Sequence, residues 1–380
     1  MMLRQTSLTA LLFLLLFPAF AQRNNTGTSV LQNGVWAKLA VKNAGVYRVD
    51  LPLLQSLGFN QNTFPSASIR LFGNVSGMLP ENNAIPRTDD LSENAILVFD
   101  GGDGVFNGAD YFLFYSEGPD RWLKDSLNQR FRHQKNLYSA EAFYFITIGG
   151  AGLRIQQRDP TASGNKTVTS FRDRVFYELD SVNMLKSGKQ WYGEEFGNLP
   201  GRPLSRQFTL NIPALISGET AFLQSEVIGR TAGASSTMRI SVGSSTVLTH
   251  LLPSVGTGQY DQIASTSNTG NTFIPNSSNS ISLTYTFQPG GINSQAWLNW
   301  FEVFPKRNLS LAGVNQLLFR DWESVGLGNI AEFRLTEASV NTAVWDVTVP
   351  ENPVALKPVI QGNELRFSAS AERLREYVAF

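Results

Sequence analysis

The feature that most constrains this chain is a short, repeated rhythm of apolar and polar residues. From Val30 onward, brief apolar runs alternate with turns. Val35–Val41 alternates residue by residue, and Gly45–Val49 follows after a turn at Lys42-Asn43-Ala44. Period-two alternation rich in Val, Tyr and Trp predicts strands, because successive strand side chains point to opposite faces. The same reading applies to Ile69–Phe72, Ala95–Phe99, Tyr111–Tyr115 and Ala142–Ile148. Leu51–Leu57, closed by Gly58 and carrying Pro52 in its first turn, predicts a short helix. From Phe208 to Phe304 charge falls and Ser, Thr, Gly and Asn rise. Strands are predicted there at Phe208–Ile212, Ala221–Ile228, Thr237–Val242, Ser280–Phe287 and Ala296–Phe304, with polar loops at 265–272 and 276–280. Further strands follow at Gln316–Phe319, Glu332–Leu335, Val344–Val349, Leu365–Phe367 and Tyr377–Phe380. Asp180–Leu185 reads as a helical turn. The fold class is therefore mainly β: an N-terminal β-rich domain, a β-sandwich or jelly-roll domain, and a further short β-rich segment.

At roughly 100–200 residues per domain, 380 residues predict two or three domains. The expected division is 1–21, 22–160, 161–310 and 311–380, with the polar stretch 160–170 as the first linker. Residues 1–21 read as a secretory signal peptide. Arg4 supplies the positive end, Leu8–Phe17 the apolar core, and Pro18-Ala19-Phe20-Ala21 the small-residue cleavage site. That apolar run is short for a bilayer span, and no later segment approaches ~20 continuous apolar residues. The chain ends on Glu376 and the apolar run Tyr377–Phe380, which predicts a strand with an unpaired edge.

Composition removes several functions. The chain has no cysteine, so it has neither disulfides, Cys-ligated metal nor a cysteine nucleophile. An exported chain without cysteine fits a bacterial envelope. It has two histidines, His133 and His250, far apart in sequence, which disfavours a multi-histidine metal site. Lys and Arg balance Asp and Glu at 31 each, which argues against a nucleic-acid partner. No G-x-S-x-G, H-E-x-x-H, P-loop or G-x-G-x-x-G is present. The two histidines read as structural or surface residues.

Three local patterns carry candidate chemistry. Asp103, Asn107 and Asp110 place hard oxygens around the glycines of 100–110, a partial calcium ligand set. The competing reading is a glycine-rich turn between two strands. Glu194 and Glu195 follow Trp191-Tyr192-Gly193, but adjacent strand residues face opposite sides and cannot form one acid–base pair. Trp297 and Trp300 could form a sugar platform, yet regular alternation also sends them to opposite faces, so core packing is expected. Five Asn-x-Ser/Thr matches are too common by chance to carry weight.

An ordered set of landmarks resembles the PorU-type sortases of the type IX secretion system. It begins with Asn33-Gly34-Val35-Trp36-Ala37-Lys38-Leu39-Ala40-Val41 and Gly45-Val46-Tyr47-Arg48-Val49. It continues through Ile69–Asn74, Glu93–Ile96, Asp103–Tyr115, Gly118-Pro119, Trp122 and Phe131–Tyr138. It ends with Leu185–Glu194, Val344–Thr348 and Arg375–Phe380. The resemblance implies a surface-associated, gingipain-like cysteine peptidase. Such an enzyme removes C-terminal sorting domains from secreted cargo and joins the cargo to anionic lipopolysaccharide. The landmarks matched here precede its catalytic domain, and no residue of this chain inherits a catalytic role. The implied partners are a downstream peptidase domain, type IX secretion components at the outer membrane and secreted cargo. The implied location is the outer membrane or cell surface. The chain is then a scaffold or docking region. The rival reading is a stand-alone secreted β-sandwich that binds carbohydrate, and a second rival is an enzyme with two convergent carboxylates in one cleft.

Overall fold

The computed structural model describes residues 27–380 apart from 75, 160, 162, 185 and 187. The signal-peptide reading of 1–21 lies outside the described residues. These residues form 31 strands, one short α-helix and two 3-10 turns. The mainly β, sandwich-like class predicted from alternation is the observed one.

In the N-terminal part, Trp36–Val41 pairs with Ala142–Ile148, which pairs with Ile69–Phe72. A second sheet joins Gly45–Asp50, Tyr111–Ser116 and Leu97–Phe99. Leu54, Phe64, Ile69, Leu71, Phe106, Phe112, Phe114 and Ile146 form the core. The predicted helix is Leu51–Ser56. Asp50 caps it by accepting the Leu53 N–H at 3.1 Å, which satisfies one of the unpaired first-turn donors. A hairpin of Arg121–Asp125 and Arg130–Gln134 projects from this part.

The central part is a sandwich. One sheet orders Val175–Glu178, Gln295–Phe304, Ala221–Arg230 and Ser265–Phe273. The facing sheet orders Ser205–Asn211, Ser280–Gln288, Ser236–Val242 and Ser245–Leu252. Leu223, Val227, Met238, Ile240, Leu283, Tyr285, Phe301 and Val303 fill the space between them. The stretch 265–272, expected as a loop, is most of an edge strand, Ser265–Phe273, paired along Ala221–Arg230. Its polar side chains stay mostly on the solvated surface, so composition concealed a strand held by backbone pairing.

The last part closes back on the first. A five-stranded sheet orders Gln156–Arg158, Val354–Leu356, Val344–Asp346, Tyr377–Ala379 and Leu317–Phe319. Beside it, Lys166–Val168, Ile330–Leu335, Glu364–Ser370 and Val359–Gln361 form a four-stranded sheet. Trp345, Val347 and Val378 share a core with Val46, Ala95, Tyr115 and Ile155 of the first part. Gln316 fastens the contact by accepting the Val46 N–H at 2.7 Å and donating to the Val46 carbonyl at 2.9 Å. The open edge expected at the C-terminal strand is not found. Tyr377–Ala379 is paired on both sides, and Phe380 exchanges two backbone hydrogen bonds with Ala343. Val182 makes an isolated bridge to Tyr192 where a helical turn was expected. Among the described residues, no helix is long and apolar enough to cross a membrane.

Candidate functional site

The sequence-selected residues separate into places with different chemistry. Asp103, Asn107 and Asp110 lie in and beside one short strand, Val105–Asn107, between Leu97–Phe99 and Tyr111–Ser116. Asp103 Oδ1 accepts the Val105 N–H at 2.8 Å, and Asp110 Oδ2 accepts the Asn107 N–H at 2.7 Å. Gly101, Gly102, Gly104 and Gly108 all take positive φ, so the chain curls in a way that side-chain-bearing residues resist. Glu194 accepts the Tyr177 hydroxyl, whereas Glu195 accepts Arg202 Nε at 3.0 Å and Gln295 Nε2 at 2.8 Å. The adjacent pair thus serves different neighbours, as extended geometry requires.

The two tryptophans do not follow regular alternation. The register between Ala221–Arg230 and Gln295–Phe304 shifts at Glu226/Val227, so Trp300 faces Glu226 and Leu298 faces Val227. Asn299 is the extra residue of a β-bulge, which reverses the expected side for everything before it. Trp297 and Trp300 therefore share the outer face of the sheet. They still form no platform: Trp297 is buried beneath Tyr192, Val182 and Met184, while Trp300 is half-buried at a cleft.

That cleft, of about 570 Å³, lies between the 121–134 hairpin and the outer face of the sandwich. Its floor comes from alternate residues of two paired strands: Phe222, Gln224 and Glu226 beside Phe304, Glu302 and Trp300. Phe131 packs with Phe304, and Arg130 sits 3.9 Å over the Phe222 ring. The His133 N–H donates to Glu302 Oε1 at 2.6 Å, while its ring stacks on Phe176 and Nε2 lies 3.4 Å from Asp120. Burial pushes the Glu302 carboxyl up to about 7. Nearby, burial pushes Glu178 up to about 8 despite Lys135, with Asp180 adding to the rise.

A second polar centre joins the three parts of the chain. Arg307 donates to Asp173 at 2.6 Å and Arg174 to Glu376 at 2.7 Å. Arg320, fully enclosed, lies 3.7 Å from Asp173 and 3.6 Å from Glu376, and Lys124 of the hairpin lies 3.8 Å from Glu376. Burial lowers Arg320 to about 10. Burial alone would raise Glu376, yet Arg174, Arg320 and Lys124 together hold its carboxyl below the usual range. These partners are scattered from residue 124 to 376, and no local motif marks them.

Neither a protein-family model nor a curated protein matches the chain. Among solved structures, the crystal structure of dimeric latent PorU from Porphyromonas gingivalis matches 93% of this chain at a TM-score of 0.76 and 20% identity. The fold is PorU-like. The chain spans about a third of that PorU, 32% of its length. The insecticidal toxin Cry8Ea1 of Bacillus thuringiensis and an Arthrobacter globiformis isomalto-dextranase each match at 11% identity. They cover 64% and 70% of this chain, and 42% and 34% of their own. Their TM-score of 0.21 carries no argument.

Proposed function

We propose that this chain is the non-catalytic N-terminal region of a PorU-type sortase. Its role is to position a peptidase domain and dock it onto the type IX secretion machinery. The observation that carries this reading is the extent of the fold likeness: nearly the whole chain matches a fraction of one PorU. Two features support it. The chain contains no cysteine, so the peptidase nucleophile of such an enzyme belongs elsewhere in the protein. The buried charges at Asp173, Arg174, Arg307, Arg320 and Glu376 tie its parts together, as a rigid spacer requires. The partners under this reading are the peptidase domain, outer-membrane secretion components and secreted cargo. The location is the outer membrane or cell surface.

The test is deletion of codons 27–380 from the native gene, keeping the leader and whatever follows. Cargo should then keep its C-terminal sorting domain and fail to be retained on the surface. Unchanged cargo processing and retention would overturn the proposal. Calcium at Asp103, Asn107 and Asp110 is a separate proposal, supported only by three oxygen-bearing side chains falling within eight residues of a glycine-rich stretch. Calorimetric titration of chelator-treated protein with CaCl2 tests it. A saturable heat lost in Asp103→Asn/Asp110→Asn supports it, and no heat refutes it.

A further inference from the structure

We propose that the cleft between the 121–134 hairpin and the outer face of the sandwich binds a neutral oligosaccharide. This inference does not rest on the PorU-type reading, since it concerns only groups within this chain.

The walls are fixed before any ligand arrives. Phe131 packs on Phe304, Arg130 stacks over Phe222, and the His133 N–H is held by Glu302. The floor is ordered by a chain of side-chain hydrogen bonds. Asn299 donates to Glu226 Oε1 at 2.6 Å, Asn268 donates to Glu226 Oε2 at 2.8 Å, and Gln224 donates to Asn268. The bulge at Asn299 is what brings the first of these donors onto the outer face.

Against this fixed frame, several groups have no hydrogen-bond partner among the described residues. Glu302 is only 3% exposed and accepts one hydrogen bond, at Oε1, leaving Oε2 to the cleft. The side chains of Arg130, Arg132 and Gln134 line the opposite wall and donate to nothing. Trp300, half-buried and on the same strand as Glu302, lines this cleft and also a second one of about 190 Å³. At the other end, Asn128, Arg130 and Phe222 are shared with a further depression of about 360 Å³. The cleft is thus flanked by two further depressions that share its lining residues.

The chemistry selects the ligand class. Carboxylates (Asp125, Glu226, Glu302) and guanidinium groups (Arg130, Arg132) both line the groove, so no single sign of charge is offered to an ion. A sugar hydroxyl both donates and accepts, and it needs acceptors and donors side by side. Planar polar side chains supply both here, and the Trp300 indole offers a surface for the C–H face of a pyranose ring.

The experiment measures binding of the full chain to maltohexaose, cellohexaose and mannohexaose by calorimetry, with hexa-arginine as a charged peptide comparator. At least one neutral oligomer should bind. Trp300→Ala and Arg132→Ala should each weaken it by about tenfold or more. Glu194→Gln, outside the cleft, should leave it unchanged. Arg132 is exposed on the rim, so that variant decides the matter if Trp300→Ala does not fold. The proposal is overturned if no neutral oligomer binds the folded chain, if neither cleft variant weakens binding, or if only hexa-arginine binds.

Discussion

Replacing Glu376 with glutamine should loosen the junction between the three parts of the chain. The carboxylate is 16% exposed and faces Arg174 at 2.7 Å, Arg320 at 3.6 Å and Lys124 at 3.8 Å. Removing one member of a buried ion pair costs about 3–5 kcal/mol, because the partner stays enclosed without its counter-charge. Arg320 is that partner here, at 2% exposure, and it would keep only Asp173, at 3.7 Å, which holds the loss toward the lower end of that range. Lys124 is 40% exposed, so its share is screened to less than about 1 kcal/mol. The amide still accepts from Arg174, which recovers about 1 kcal/mol. The net loss is about 2–4 kcal/mol. With a urea m-value of roughly 3 kcal/mol/M, the midpoint should fall by about 1 M at neutral pH. The sign of the pH dependence is fixed as well. A carboxyl held below its ordinary range stabilises the fold above its unfolded pKa near ~4.3, and it loses that contribution as pH falls through its lower folded value. The gap between wild type and Glu376→Gln should therefore shrink on acidification. A midpoint shift below about 0.3 M would refute the reasoning, since it corresponds to less than about 1 kcal/mol. So would a gap that widens toward acid.

Glu302→Gln has the opposite pH signature. With its carboxyl raised to about 7, folded wild type binds this proton more tightly than the unfolded chain does, and it loses stability as pH rises from ~4.5 through 7. The glutamine variant should be the more stable protein at pH ~8, by at most ~3 kcal/mol, with the advantage gone near pH ~4; urea melts at both pH values check this. His250 is fully buried, accepts or donates one hydrogen bond with Ser267 at 3.1 Å, and is pushed down to about 4 by burial. Wild type should lose stability as pH falls from ~6.5 to 4, and His250→Leu should flatten that slope in thermal melts. Gly152→Ala places a methyl group 2.3 Å from the Ile69 carbonyl oxygen on a buried strand. It should cost about 1–3 kcal/mol or more, and a neutral result in denaturant melts would contradict the backbone packing described.

What was legible in the sequence had local causes. Val35–Val41 and Ala142–Ile148 announce themselves because one face of each is buried, and that forces alternation. The helix at Leu51–Ser56 is signalled by its own cap and proline. The strand Ser265–Phe273 was hidden because an edge strand with a solvated face has no apolar rhythm to display. The hairpin at 121–134 carried an available signal: Asp125 accepts the Asn128 N–H, a turn pattern, beside the alternation of Arg130-Phe131-Arg132-His133. The cleft was not legible. The faces of Trp297 and Trp300 depend on one extra residue, Asn299, whose bulge follows from pairing with a strand some 70 residues away. The ionic centre was equally invisible, because Asp173, Arg320 and Glu376 meet only once the sheets close. The ordered landmarks pointed to the PorU-like fold without any of this long-range geometry.

The most direct test of the central proposal is the size of the native product in its source cells, by immunoblot with antibody raised against residues 171–310. A PorU-type sortase region predicts a band far heavier than the 41.9 kDa of this chain, carrying a peptidase domain with a cysteine. A single band at or just below 41.9 kDa, with no larger species, would contradict it and make the stand-alone binding module the leading account.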